Sequence, residues 1–296
     1  MNKKGRAVLI AGPTASGKSA LALARAAKSD GVIVNADSMQ VYDVLNVLSA
    51  RPQVDDLAIA EHRLYGCVSP TTRYSTGQWV ADVEKVIQDD ALQDREVIFV
   101  GGTGLYFEAL IKGIAPVPTV PQKVVETFEK VIQPLDRAGR REILLARDPK
   151  MAARLKEPDQ QRVVRALSVL EATGKSLADW QDIEPVDLLH GWDVEKLVLS
   201  PDRDVLRARV AARYSAMMDS GAIEEVQALL SLDLDPTLPA MKAIGVPEIS
   251  AWLAGAMRRE EMVERAVIAT RQYAKRQRTW FRRRMADWAW VESSAR

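Results

Sequence analysis

The run Ala7-Val8-Leu9-Ile10-Ala11-Gly12-Pro13-Thr14-Ala15-Ser16-Gly17-Lys18-Ser19-Ala20-Leu21 passes from a short apolar segment, through a loop bracketed by glycines, into an Ala/Leu-rich stretch that reaches Ala27. It reads as strand, phosphate loop, helix. A loop wraps a phosphate with its backbone N–H groups only where no Cβ blocks close approach, and the helix that follows turns its positive end toward the anion. The spacing G-x-x-x-x-G-K-S makes Gly12, Pro13, Thr14, Ala15, Ser16, Gly17, Lys18 and Ser19 a diphosphate- or triphosphate-binding site. Lys18 is then the cation for the outer phosphate and Ser19 the hydroxyl for Mg²⁺. A glycine-rich turn beside a solvated lysine is the plain alternative.

Working outward, further runs rich in β-branched residues lie at Val32 to Val34, Val97 to Val100 and Leu197 to Leu199, with helical patterns between them. This alternation predicts an α/β fold with a parallel sheet and covering helices. Pro116, Pro118 and Pro121 then form a stiff connector, after which Lys123 to about Gln181 reads as helix after helix. An all-α insertion follows from that, with residues 1–115 as the first part of the core, 116–190 as the insertion and 191–296 as core completion. Inside the insertion a helix starts at Pro158-Asp159 and stops near Gly174, with Val163, Val164, Leu167 and Leu170 as its apolar stripe. Helices are also expected at Asp204 to Asp219, Ile223 to Leu230 and about Arg259 to Met285.

The 296 residues carry 41 Lys+Arg against 40 Asp+Glu, a formal charge of +1, so affinity for a polyanion must come from local asymmetry. The segment from Arg271 to Arg284 supplies it: Arg271, Lys275, Arg276, Arg278, Arg282, Arg283 and Arg284 interleave with Tyr273, Trp280 and Phe281, without an acid. Such a run suits RNA loops, because cations neutralise phosphates while aromatic and Arg planes stack on unpaired bases; a solvated basic helix with a buried aromatic stripe is the alternative. The single cysteine, Cys67, excludes an internal disulfide and a multi-cysteine zinc site, and is expected in the packed core. His62 and His190 are too few for a metal cluster. With no long apolar stretch and no leader pattern, a cytoplasmic chain without membrane attachment is expected.

Two more segments belong beside the phosphate loop, since ligands in open parallel sheets bind beyond the carboxyl ends of the strands. The second strand ends in Asn35-Ala36-Asp37-Ser38-Met39-Gln40, where Asp37 could be a general base, a metal ligand or a turn residue capping the next helix. The third ends in Gly101-Gly102-Thr103-Gly104-Leu105-Tyr106, where most nucleotide triphosphatases place an acid that helps hold Mg²⁺. Three glycines around one hydroxyl suit a flat substrate resting on the backbone, or a tight turn needing positive φ. Arg213 could reach a phosphate from a crevice-facing helix, or be a surface residue. Arg162 and Arg165 share one helix face, which on its own terms reads as solvated.

In this order the motifs resemble the tRNA dimethylallyltransferase family, which prenylates an adenosine beside the anticodon. The matching pieces are Gly12 to Ser19, Asp37-Ser38-Met39-Gln40 with Tyr42, Gly101 to Tyr106, Gln161 to Arg165, Ala243-Ile244-Gly245 and Arg271 to Arg282. The resemblance implies that the loop holds dimethylallyl diphosphate instead of ATP, with Lys18, Arg213 and Mg²⁺ on Ser19 stabilising the departing diphosphate. It makes Asp37 the base that takes a proton from adenine N6, and Thr103 the hydroxyl that positions the base. It also implies that Ser38, Met39 and Gln40 line the flipped nucleotide, that Gln161, Arg162, Val163, Val164 and Arg165 grip the tRNA anticodon stem-loop, and that Lys275, Arg276 and Arg278 contact RNA, in a monomer. The chain departs from the family at Val47-Leu48-Ser49-Ala50-Arg51-Pro52, where a glycine is lost. It also lacks an aspartate often found after His62, and has Val246 in place of a frequent tyrosine. Rival readings are a prenyltransferase acting on a free adenine nucleotide, a small-molecule kinase and a non-catalytic RNA-binding module.

Overall fold

The computed structural model describes residues 5–92 and 94–292. They form two compact units, the described residues of 5–111 with 188–292, and residues 112–187. The helical unit thus begins and ends a few residues before the expected 116 and 190.

The first unit is built on a six-stranded, all-parallel sheet of order β3-β2-β4-β1-β5-β6. Its strands are β1 (Arg6–Ala11), β2 (Val32–Asn35), β3 (Glu61–Arg63), β4 (Val97–Gly101), β5 (Asp193–Leu199) and β6 (Ala289–Val291). Alternation along the strands sends side chains to two cores. Ala7, Leu9, Val32, Val34, Val97 and Phe99 face one side, where they meet Trp79, Phe107, Phe281 and Trp288. Val8, Ile10, Ile33, Ile98 and Val100 face the other and pack on Ala22 and Ala26. Buried on both faces, β1, β2 and β4 read as continuous apolar runs, and for that reason they are visible in the sequence. The edge strands β3 and β6 were not expected: Glu61-His62-Arg63 is charged, a common means of blunting an edge, and Ala289-Trp290-Val291 is short and exposed.

The helices of this unit are α1 (Lys18–Ser29), α2 (Val54–Ile59), α3 (Thr76–Ile87), α4 (Gly104–Lys112), α10 (Arg203–Asp219), α11 (Ala222–Leu230), α12 (Val246–Leu253) and α13 (Arg259–Arg284). A third apolar cluster joins α10 to α13 with Val41, Tyr42, Leu45 and Leu48 of the segment after β2. Trp79 of α3 stacks on Tyr106 at 4.1 Å and donates its indole N–H to the Asn35 carbonyl, tying α3 and α4 to the end of β2. At the amino ends of the strands, the buried Glu96 carboxylate accepts from Arg25 at 2.8 and 2.9 Å and from Ser29 at 3.0 Å, with Arg6 at 3.1 Å.

The second unit contains α5 (Gln122–Ile132), α6 (Arg137–Arg147), α7 (Pro149–Arg154), α8 (Gln160–Thr173) and α9 (Leu177–Gln181), with no strand among its described residues. Helix α8 is capped by Asp159, whose carboxylate accepts the Arg162 N–H at 3.0 Å. It ends at Gly174 with φ 68°, as its sequence predicts.

Candidate active site

Three loops meet beyond the carboxyl ends of β1, β2 and β4. The order of the sheet makes this unavoidable, because β2, β4 and β1 are neighbours running the same way. In the first loop Gly17 has φ 90° and provides no side-chain cap to α1, so the amides of the first helical turn keep no competitor for an anion. Not every loop amide points that way. The Ser16 N–H goes to the Pro13 carbonyl at 3.2 Å and the Thr14 N–H to Gln277 Oε1 at 2.9 Å. The buried Ser16 hydroxyl has no hydrogen-bond partner among the described residues, which leaves a polar group for a ligand to satisfy.

Lys18 donates to the Pro13 carbonyl at 3.3 Å, and burial lowers its ammonium to about 8 against the pull of the Asp37 carboxylate. Arg213 of α10 reaches in to donate to Thr14 Oγ1, and burial depresses it as well. Its alternative as a surface residue is therefore discarded. Ser19 is exposed on the first turn of α1.

The second loop presents Asp37. Asn35 accepts the Asp37 N–H at 2.8 Å and donates to the Asp37 and Leu64 carbonyls, both at 3.0 Å, which fixes the turn. Oδ1 of Asp37 accepts the Met39 N–H at 3.0 Å, whereas Oδ2 faces the backbone of Gly102. One carboxylate oxygen thus serves the turn, and Asp37 is also among the residues that line the cavity. Ser38 and Met39 also line the cavity, but Gln40 turns away and donates to the Ser49 and Ala50 carbonyls at 3.0 and 2.8 Å. Its amide N–H group holds the neighbouring wall and does not reach a base.

The third loop corrects an expectation. None of Gly101, Gly102 and Gly104 has positive φ, and the protein itself occupies the space their missing side chains leave. A Cβ at 101 would lie 2.0 Å from the Ala36 carbonyl oxygen, one at 102 lies 2.1 Å from Gln277 Nε2, and one at 104 lies 2.2 Å from the Trp280 ring. Close packing accounts for these glycines, not a flat substrate or a strained turn. Thr103 Oγ1 accepts the Ser38 N–H at 3.0 Å and lies 3.3 Å from Ser38 Oγ, coupling the second and third loops.

Between the loops and the helices lies a cavity of about 310 Å³. Thr14, Asp37 and Arg213 give it a polar end, while Leu48, Val210, Tyr214, Met217 and Ile244 make much of it apolar. Lys242 and Arg276 also line it. The departure at Leu48-Ser49 therefore falls on the cavity wall, where the Glu225 carboxylate of α11 accepts the backbone N–H groups of Asn46, Val47 and Leu48. The Leu48 side chain covers Gly245, whose φ is 102°. Val246, by contrast, is buried in the helical core.

Helix α13 turns Lys275 and Arg276 to solvent, half-buries Arg278 and buries Ala274, Gln277 and Phe281. Gln277 is the residue that sequence reading missed. It is a polar position in a four-residue-spaced stripe with Tyr273 and Phe281, and a buried amide on such a stripe must find partners. In α8, Gln161, Arg162 and Arg165 are exposed, but Val163 and Val164 are buried in that unit's core and their side chains cannot touch RNA. Cys67, expected in the core, is exposed. Among the described residues no group of three or more His, Cys, Asp or Glu could hold a metal, and no helix is long and apolar enough to cross a membrane.

The family model described as IPP transferase matches residues 40–284. The tRNA dimethylallyltransferase of Chelativorans sp. (strain BNC1) is 53% identical over 95% of this chain and 97% of its own, and that of Agrobacterium fabrum (strain C58 / ATCC 33970) is 49% identical over 95% and 94%. Among solved structures, a eukaryotic dimethylallyltransferase acting on tRNA superposes with a TM-score of 0.81 at 25% identity, over 98% of this chain and 74% of that one. The tRNA isopentenylpyrophosphate transferase of Bacillus halodurans gives 0.68 at 27% identity, over 97% and 89%. A chain with this loop geometry, matched along nearly its whole length, belongs to the IPP transferase family of tRNA dimethylallyltransferases.

Proposed function

We propose that this enzyme transfers a dimethylallyl group from dimethylallyl diphosphate to N6 of the adenosine 3′-adjacent to the anticodon of tRNA, releasing diphosphate. The observation that carries the reading is a cavity with Thr14 of the phosphate loop, Arg213 and the Asp37 carboxylate at one end and an apolar body of Leu48, Val210, Tyr214, Met217 and Ile244. The diphosphate lies on Gly12 to Ser19 with Lys18 and Arg213, and the prenyl chain lies along Leu48, Val210 and Met217. Adenine N6 attacks C1, the C1–O bond breaks with its electron pair leaving on diphosphate, and Asp37 takes the N6 proton. A positioned base contributes about 10²–10⁴-fold, and stabilising the leaving group supplies much of the remainder. The adenosine must leave its stack to reach this cavity. Thr103 and Ser38 hold its base, and Gln161, Arg162, Arg165, Lys275, Arg276 and Arg278 grip the anticodon stem-loop.

Mg²⁺ would be held by the exposed Ser19 hydroxyl and the diphosphate oxygens, a set suited to a hard cation. Bound there, it neutralises charge on the leaving diphosphate. The chain acts as a cytoplasmic monomer.

A kinase reading is disfavoured because the backbone of Ala36 leaves no room at position 101 for a metal-binding acid. The deciding experiment follows label from dimethylallyl diphosphate into unmodified tRNA and, separately, into AMP, with wild type and Asp37→Asn. Label in tRNA alone, lost in the variant, is expected; label in AMP, or in neither, overturns the reading.

A further inference from the structure

One side chain spans from the phosphate loop to the loop of residues 101–104, which otherwise share the bond from the Gly12 N–H to the Gly101 carbonyl at 3.3 Å. Gln277, 5% exposed, accepts the Thr14 N–H on Oε1 at 2.9 Å and donates from Nε2 to the Gly102 carbonyl at 2.9 Å. Thr14 also receives Arg213 on its hydroxyl, and one turn earlier on α13 Tyr273 lines the cavity. Both ends of the amide are therefore committed, one to the loop that holds the diphosphate and one to the loop that faces Asp37 Oδ2. The fit is tight enough that a Cβ on Gly102 would lie 2.1 Å from Nε2 and 3.1 Å from Asp37 Oδ2.

We propose that Gln277 is a positioning residue for the transfer: it spans the two loops and sets the separation between the departing diphosphate and the base that receives the N6 proton. This rests on the reaction proposed above. Gln277 touches neither substrate, so its effect falls on the geometry of the reacting pair and little on the affinity of either partner alone. Rates of oriented reactions are steep in that geometry, and a displacement of about 1 Å costs on the order of 10²-fold. The proposal also gives Gly102 a role, since a side chain there would displace the Gln277 amide from its bonds.

The test uses the full chain with Gln277→Leu, Gln277→Asn, Gln277→Ala, Gly102→Ala and the Gln277→Ala/Gly102→Ala double variant. Gln277→Leu keeps the approximate volume and removes both bonds; it is expected to lower kcat at least tenfold. Dissociation constants for dimethylallyl diphosphate and for tRNA, measured separately, should change less than threefold. Gln277→Asn, one methylene too short to span both loops, should recover little of the rate. A Gln277→Leu variant with kcat within twofold of wild type, or a loss lying wholly in donor affinity, overturns the proposal. The cycle in thermal midpoint needs no activity: Gly102→Ala should lower the midpoint of wild type more than that of Gln277→Ala, where only the contact with Asp37 Oδ2 at 3.1 Å remains, whereas equal effects in both backgrounds overturn the proposed fit. If wild type transfers no label, the reaction assigned above is wrong, and the cycle still judges the span between the loops.

Discussion

Replacing Lys18 by methionine should abolish transfer and yet make the free protein more stable. In the folded chain the ammonium is buried beside Arg213, with Asp37 as partial compensation, and it ionises at about 8 instead of 10.5. At about 1.4 kcal/mol per pH unit, keeping it charged at pH 7 costs the fold about 3 kcal/mol. Methionine removes that cost and also the bond to the Pro13 carbonyl, worth about 1 kcal/mol. The net gain is about 2 kcal/mol, or about 4–8 °C in thermal midpoint for a domain of this size. Between pH 8 and 10.5 the unfolded chain holds more protons at this position than the folded one, so the wild type gains stability relative to Lys18→Met as pH rises and the gap closes. Unfolding of both proteins, without ligand, at pH 7 and pH 10 measures this directly. A variant no more stable than wild type at pH 7, or a gap that does not narrow by pH 10, refutes the claim that the loop lysine is held charged at the expense of the fold.

Asp37→Asn should keep donor affinity within a few-fold and lower the transfer rate by about 10²–10⁴, as read by donor titration beside label transfer. Gly101→Ala forces a Cβ to 2.0 Å from the Ala36 carbonyl, so denaturant unfolding should show a loss of about 3 kcal/mol or more as the ends of β2 and β4 part. Glu96→Ala takes two hydrogen bonds from Arg25 at the amino edge of the sheet but leaves it Glu195 at 3.0 Å, so the cost is about 1.5–3 kcal/mol, that of hydrogen bonds to charged groups. Hydrogen bonds from Arg25 hold the Glu96 carboxyl below its ordinary 4.5, so its contribution is complete above that pH and is lost as pH falls through the lowered value. Wild type and Glu96→Ala should therefore converge only in acid; convergence at neutral pH would contradict the pairing.

The sequence exposes what short-range rules control. Doubly buried β1, β2 and β4 announce themselves as apolar runs, and α8 carries both of its caps, Asp159 and Gly174, within fifteen residues. The phosphate loop is legible because its backbone path demands residues without side chains at fixed spacing. Edge strands are not, since one-sided pairing asks for little apolar surface. Long-range commitments stay hidden too. Whether Gln40 faces a ligand or holds Ser49 and Ala50, and whether Gln277 faces solvent or spans 263 residues of sequence to Thr14, depends on which helix face the fold turns inward.

The glycines after β4 connect the fold to the chemistry. Where a phosphate-cleaving enzyme keeps a carboxylate at the end of the strand beside its phosphate loop, this chain packs Gly101 against Ala36 so closely that no side chain fits. The acid stands instead one strand further out, at Asp37 beyond β2, with Oδ1 anchored to the Met39 amide and the residue on the cavity wall. In the reaction proposed above phosphorus is never attacked: the diphosphate departs intact from carbon, and the base must meet the proton of the incoming amine on the far side of the prenyl group. On that proposal Lys18 and Arg213 stand at the loop end, where negative charge grows on the leaving oxygen. Asp37 is kept at the side, within their field yet without a direct ion pair to either among the described contacts. Closing that ion pair would satisfy the charges in the free enzyme and remove both the cation that the diphosphate requires and the basic oxygen that N6 requires.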